Sequence, residues 1–295
     1  GAFDLNMRNG NYVQHEFLGQ IGFNGFELGA EGPLFKNNNS SYIVNYRYSV
    51  LSFMDKIGLN PGTGTGIPVY QDLSFRVNNT IKNVGTFTLF GLGGISEIDF
   101  KNSDLEEDEK QDEDFYTSGD FDIFNKVKTG VLGVSQSFLI NSNTYAKATI
   151  AYTSIQTITQ TDSIIFNPQN SNQVDGVFNN FYGMDFTDNR WFGSVYLNKK
   201  LNQRNNVKVG FIINSINFNL TDTVYSIEDQ RHYTITDDEG TTQLMQGYAT
   251  WQHKFNNKLT LNSGLHTQYL ALNDDYIIEP RLGLKWNMSE KDALG

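Results

Sequence analysis

The stretch QDLSFRVNNTIKNVGTFTLFGLGGISEIDF, Gln71–Phe100, decides the fold. Leu73, Phe75 and Val77 alternate with Asp72, Ser74, Arg76 and Asn78. A short polar connection runs from Asn79 to Val84, and a second alternating run follows from Gly85 to Glu97. An extended chain points successive side chains to opposite faces. This pattern therefore makes one apolar and one polar face on two strands joined by a tight turn.

The same unit recurs along the chain. Tyr12–Phe23 and Phe26–Leu34 flank Asn24-Gly25, the strongest two-residue hairpin signal. Tyr42, Val44, Tyr46 and Tyr48 alternate within Ser41–Tyr48. Further strands are expected at Val127–Leu139, Thr144–Thr159, Arg190–Asn198, Val207–Asn219, Gln243–Phe255, Leu259–Tyr269 and Ile277–Trp286. Connections near Asn38, Lys82, Ser142, Asn202, Asn257 and Ser289 are short. Those between them are expected to be long, at Ser49–Tyr70, Lys101–Lys126, Asp162–Asn189 and Leu220–Thr242, with Asn24-Gly25 and Asn273–Tyr276 as exceptions. Short turns at one rim and long loops at the other are the habit of an outer-membrane barrel. A soluble sandwich has no reason to gather its long loops at one end. The fold expected is all-β, an antiparallel transmembrane β-barrel segment of about 12–13 strands at about 9–11 residues per crossing. Lys291–Gly295 reads as the start of another strand. An open edge in lipid leaves backbone groups unpaired. The expectation is thus a part of a larger barrel, or an open curved sheet when taken alone.

Composition agrees. The 295 residues are 38% hydrophobic and 14% aromatic, with 22 Phe and 15 Tyr. Mean hydropathy is −0.43, but a barrel shows lipid only every second residue, so its average stays polar. No run approaches the roughly 20 apolar residues of a membrane helix. The absence of cysteine excludes disulfides, thiolate metal sites and cysteine catalysis. A net charge of −11 argues against nucleic acid as a partner, since phosphate binding needs basic patches.

With the strands placed, Gly1-Ala-Phe-Asp-Leu-Asn-Met-Arg-Asn-Gly-Asn11 resembles the end of the plug domain of TonB-dependent outer-membrane receptors, where it passes into the barrel. Phe26–Pro33, Tyr42–Tyr48, Gly85–Gly94 and Glu279–Trp286 resemble barrel strands of the Bacteroidetes-type members. The resemblance implies a bacterial outer-membrane location and a barrel of about 22 strands around a plug. It divides the chain into the end of a plug domain, residues 1–11, and a partial β-barrel domain, residues 12–295. The partners it implies are outer-membrane lipid, the protein's own plug, TonB through a segment preceding Gly1, and a scarce small cargo: an iron chelate, a peptide or a glycan. The alternative is a passive porin or a secretion-associated barrel.

The candidate functional residues are the charges and the histidine on the polar faces of the strands: Glu27, Glu31, Arg47, Asp72, Arg76, Lys147, Arg190, His266, Glu279, Arg281 and Lys285. On a barrel they point into the lumen, where they pair, meet a plug or touch cargo. Arg47 and Arg76 are the expected plug contacts, and Arg281 can pair with Glu279 two residues away on one face. No catalytic, cofactor or metal residues are expected. His15, His232, His253 and His266 lack ligand spacing, and no Gly-x-Ser-x-Gly occurs. The acidic run Asp104–Asp114 has oxygen ligands but not the ordered spacing of a calcium loop, so it reads as a solvated loop. Gly62-Thr-Gly-Thr-Gly66 lacks the lysine of a phosphate cradle. Gly91, Gly93 and Gly94 sit mid-strand, where they mark either a close approach of the plug or barrel curvature.

Overall fold

A computed structural model describes residues 6–22, 25–35, 39–49, 66, 68–104, 120–168, 170–287 and 293–294. Most of the Ser49–Tyr70 connection, including the Gly62–Gly66 run apart from its last residue, and most of the acidic run fall outside them.

Thirteen strands form one antiparallel sheet in strict sequence order. They are β1 (Glu16–Gly22), β2 (Gly25–Pro33), β3 (Ser40–Tyr48), β4 (Val69–Ile81), β5 (Gly85–Phe100), β6 (Phe121–Asn141) and β7 (Thr144–Asn167). β8 (Asn170–Lys200), β9 (Asn205–Ser226), β10 (Arg231–Lys254), β11 (Leu259–Leu270), β12 (Asp275–Asn287) and the short β13 (Ala293–Leu294) follow. Among the described residues β1 does not pair with β12 or β13, so the sheet is unclosed. The founding hairpin closes through a three-residue turn: Ile81 registers with Gly85, and Asn83 takes a left-handed φ of 65°.

Register carries one set of side chains across the whole sheet. Phe75 lies opposite Val44 and Gly91, Gly91 opposite Leu132, Leu132 opposite Tyr152, and Tyr152 opposite Trp191. This outward face is apolar and uncovered. Buried apolar side chains among the described residues are Ala146, Ala151 and Ile164, whereas Leu132, Ile150, Val195, Leu265, Leu282 and Leu284 are exposed. A sheet with no dry interior among its described residues and a wide apolar face has lipid as its counterpart. Aromatic side chains frame that face. Tyr46, Tyr152, Trp191 and Tyr276 lie toward the long connections, and Trp251 and Trp286 toward the short turns.

The apolar band also steps down the sheet. Its mid-point on β4, Phe75, connects by register to Tyr152 of β7. On β12, Leu282 connects through Ser263, Trp251, Val207 and Lys199 to Thr144 of that same strand, eight residues lower. Eight strands separate β4 from β12, so the band descends by about one residue per strand. A shear equal to strand number corresponds to a tilt of about 36°, within the range of outer-membrane barrels.

Two of the expected long connections are not loops. Residues 162–189 extend β7 and β8, and residues 220–242 extend β9 and β10. β8 alone has 31 residues, roughly 100 Å at about 3.3 Å per residue, against an apolar band about 25 Å tall. These hairpins stand well above the band, and β9 passes into β10 through a four-residue turn at residues 227–230.

Candidate functional site

The inner face holds every candidate charge. Arg47 lies directly opposite both Glu27 and Asp72, Arg76 registers with Phe90, Lys147 with Ser137 and Tyr196, Arg190 with Thr153, and His266 with Glu279. Tracing the ladders puts all the candidates on the same side, opposite Phe75 and Trp191. Strand parity alone produces this arrangement.

Four clusters form on that face. Arg47 grips Asp72 through Nε at 3.1 Å to each carboxylate oxygen, with Nη2 at 3.0 Å from Oδ2. Beside it Asn45 Nδ2 donates to Glu27 Oε1 at 2.5 Å. Arg190 pairs with Asp188 two residues earlier. At the other end of the sheet Glu279 accepts from Arg281 Nη2 at 2.6 Å and sits 2.8 Å from His266 Nδ1. Lys147 and Lys285 make no ion pair among the described residues. No group of three or more metal-binding side chains occurs among those residues either.

The fourth cluster is built on the segment before β1. Arg8 holds Glu31 as a fork, Nη1 to Oε2 at 2.6 Å and Nη2 to Oε1 at 2.5 Å, and the Asn11 N–H adds a bond to Oε2 at 2.9 Å. Arg76 Nη1 donates to the Met7 carbonyl at 3.2 Å. Asn78 Nδ2 donates to Asn9 Oδ1 at 2.9 Å, while Asn78 Oδ1 accepts from Thr88 Oγ1 at 2.7 Å. Gly10 runs against β3 so closely that a Cβ there would lie 1.9 Å from the Tyr42 carbonyl oxygen. Only glycine allows that approach. Residues 7–11 are therefore laced across the inner face of β2, β3 and β4.

Neutral side chains carry part of this lacing, and the sequence reading, which followed charge, passed over them. Asn78 is 1% exposed and Thr88 is 5% exposed. Their place on the polar face next to Arg76 was the available signal. A second unforeseen cluster lies further round the same face, where Lys208 Nζ sits 4.3 Å from the Tyr196 ring centre and 5.6 Å from that of Tyr248. Such cation–ring contacts are favourable when partly desolvated.

The tall hairpins have their own polar ties. Between Thr161 and Ser163 the ladder of β7 against β8 skips from Tyr182 to Phe178, a bulge on β8. Asp162 fills it, accepting from the Asn180 N–H at 2.8 Å and from Gln160 Nε2 at 3.0 Å. Tyr182 Oη donates to Asp222 at 3.3 Å. Partial burial, then the nearby Asp222 carboxylate, pushes the Tyr182 phenol above its usual range.

Gly91 and Gly93 face outward, opposite Phe75 and Leu73, so neither marks an approach from the lumen. The Phe75 ring occupies the space over Gly91, 2.4 Å from where its Cβ would stand. Gly94 faces inward.

Solved structures share this architecture. The ferric-catecholate import receptor Fiu of E. coli K12 matches with a TM-score of 0.53 and 11% identity, over 90% of this chain and 50% of Fiu. The siderophore receptor PiuA of Acinetobacter baumannii matches with a TM-score of 0.61 and 9% identity, over 94% of this chain and 47% of PiuA. The outer membrane transporter YddB of Escherichia coli matches with a TM-score of 0.52 and 12% identity, over 93% of this chain and 36% of YddB. At these identities the likeness is one of fold. The chain spans half or less of the length of these proteins. No protein-family model and no curated protein matches the sequence.

Proposed function

We propose that this chain is barrel from a TonB-dependent receptor of the bacterial outer membrane, one that takes up a scarce small cargo such as an iron chelate. The observation that carries the reading is the lacing of residues 7–11 over the inner face by Arg8–Glu31, Met7–Arg76 and Asn9–Asn78. A passive pore gains nothing from fixing an upstream segment inside its lumen. A receptor needs its plug tethered there. Arg76, which holds the Met7 carbonyl, is then a plug-side contact; Arg47, bound to Asp72, stands beside it, and the Glu279–Arg281–His266 group lines the lumen further along the sheet. The fold shared with siderophore receptors supports the same reading. The resemblance of Tyr42–Tyr48 and Gly85–Gly94 to Bacteroidetes-type strands narrows it further.

The test uses the full-length protein in its own outer membrane and in planar bilayers. A receptor shows no steady conductance, and growth on its cargo is lost when TonB is deleted. Steady ohmic conductance with TonB-independent growth would assign the chain to the passive-porin class instead.

A further inference from the structure

The rim of short turns carries charge of one sign. Residues 78–89, 135–149, 194–212 and 248–266 hold the short turns between β4 and β11 with the strand ends around them, and they contain Lys and Arg but no Asp or Glu. Lys82, Lys199, Lys200, Arg204, Lys254 and Lys258 are exposed there. The other rim is the reverse, with Glu228 and Asp229 between β9 and β10 and Asp274 and Asp275 between β11 and the body of β12.

Turn geometry does not demand this. Asn141 Oδ1 accepts the Asn143 N–H at 3.0 Å, Asn202 Oδ1 the Arg204 N–H at 2.9 Å, and Asn256 Oδ1 the Lys258 N–H at 2.8 Å. An aspartate oxygen accepts the same bonds, and it would neutralise a neighbouring cation. Like charges side by side on adjacent strands are destabilising. The backbone nevertheless ties two of these turns together, the Lys254 N–H donating to the Arg204 carbonyl at 2.8 Å. The rim thus forgoes the internal carboxylates open to it, and its counter-charge comes from outside these segments.

Two indoles fix the depth of the rim. Trp251 shares an outward row with Lys199 through Val207, and its Nε1–H donates to Asn205 Oδ1 at the start of β9 at 3.0 Å. Trp286 lies opposite Leu259, the residue after Lys258. Indoles settle at the headgroup level of a bilayer, so these cations stand at the depth of the lipid phosphates.

We propose that the short-turn rim between β4 and β11 seats the phosphates of anionic phospholipids, of which phosphatidylglycerol is the simplest. The inference rests on the outward face meeting lipid. It is independent of the cargo and of TonB.

The full-length protein, folded into vesicles of phosphatidylcholine alone or of phosphatidylcholine with phosphatidylglycerol and unfolded with urea at low salt, tests it. The net charge of −11 on this chain works by itself against an anionic bilayer. A higher urea midpoint in the anionic vesicles is expected instead, and high salt removes the gain. Arg204→Gln, Lys254→Gln and Lys258→Gln together take away about half of it, since each cation near the surface contributes separately. Asp274→Asn, at the other rim, does not reduce it. Inorganic phosphate at matched ionic strength gives phosphatidylcholine vesicles no such gain. Heat-modifiable gel mobility establishes that each variant is folded. An equal midpoint in both kinds of vesicle, which is also the outcome if an acidic protein segment already covers the rim, would overturn the proposal. So would a gain kept in full by the folded triple variant, or one reproduced by inorganic phosphate.

Discussion

Asn78 contributes both ends of its amide to the inner face: the nitrogen to Asn9, the oxygen to Thr88. It is almost wholly buried, so Asn78→Ala leaves the Thr88 hydroxyl without its acceptor and frees Asn9. The expected loss is about 1–3 kcal/mol, read as a lower denaturant midpoint of the folded protein in detergent. Glu31→Gln acts differently. Arg8 is 65% exposed and Glu31 12% exposed at the side chain. Pairs with one solvated partner contribute only about 0–1 kcal/mol, so the midpoint should barely move. Residues 7–11, however, lose the fork that fixes them. Limited proteolysis should cut this segment several-fold faster in Glu31→Gln, and unchanged cutting would mean that Gly10 and Asn9 hold the segment by themselves. The contrast explains what was legible at this scale. Charged residues announce their face because a strand alternates and a charge on the lipid face is expensive. A neutral amide announces nothing, and its partner Asn9 stands 69 residues away.

The strands themselves were legible only where one face meets hydrocarbon. Within the band, Ala146, Ala148, Ile150 and Tyr152 alternate with Lys147, Thr149 and Thr153, and β7 was readable there. Above it the outward side chains become Ser154, Gln156, Ile158, Gln160 and Asp162, with a single apolar residue among them. Water touches both faces, and the period-two contrast in polarity fades while the backbone continues as strand to Asn167. The same happens along β8, β9 and β10, so polar strand reads as polar loop. What remains is β propensity, visible in Thr157-Ile-Thr-Gln-Thr161 and in Thr234-Ile-Thr236. Asp162 is the joint of the taller hairpin. Asp162→Ala orphans the Asn180 N–H inside a bulge, at an expected local cost of about 1–2 kcal/mol. Hydrogen exchange should speed at residues 178–182 and remain slow at residues 144–153. Uniform loss of protection along β7 would show instead that the hairpin and the band unfold as one unit.

At the scale of the molecule, three independent features agree on a wall between lipid and water: the apolar outward face, its aromatic borders and its descent of about one residue per strand. The first was legible from Gln71–Phe100 because every second residue repeats one decision. The descent was not, because it depends on the register between strands, and register is fixed by turn geometry and pairing that a single strand does not carry. The two faces can be separated by adjacent substitutions. Ile150 is 64% exposed on the outward face, and Thr149 next to it faces inward among Ser135 and Ser194. Ile150→Arg places a guanidinium in hydrocarbon, at about 2–4 kcal/mol near the bilayer midplane. Thr149→Arg places the same group toward a wet lumen, where the cost is close to zero. Refolding into vesicles, followed by the fraction with folded gel mobility at increasing urea, should give a midpoint that falls for Ile150→Arg and holds for Thr149→Arg. The opposite order would mean that the inside and outside of this wall have been exchanged, and with them the lumenal place of Arg47, Arg76 and Arg281. Equal loss from both would mean that the sheet has a second protein layer against it rather than lipid on one side and water on the other.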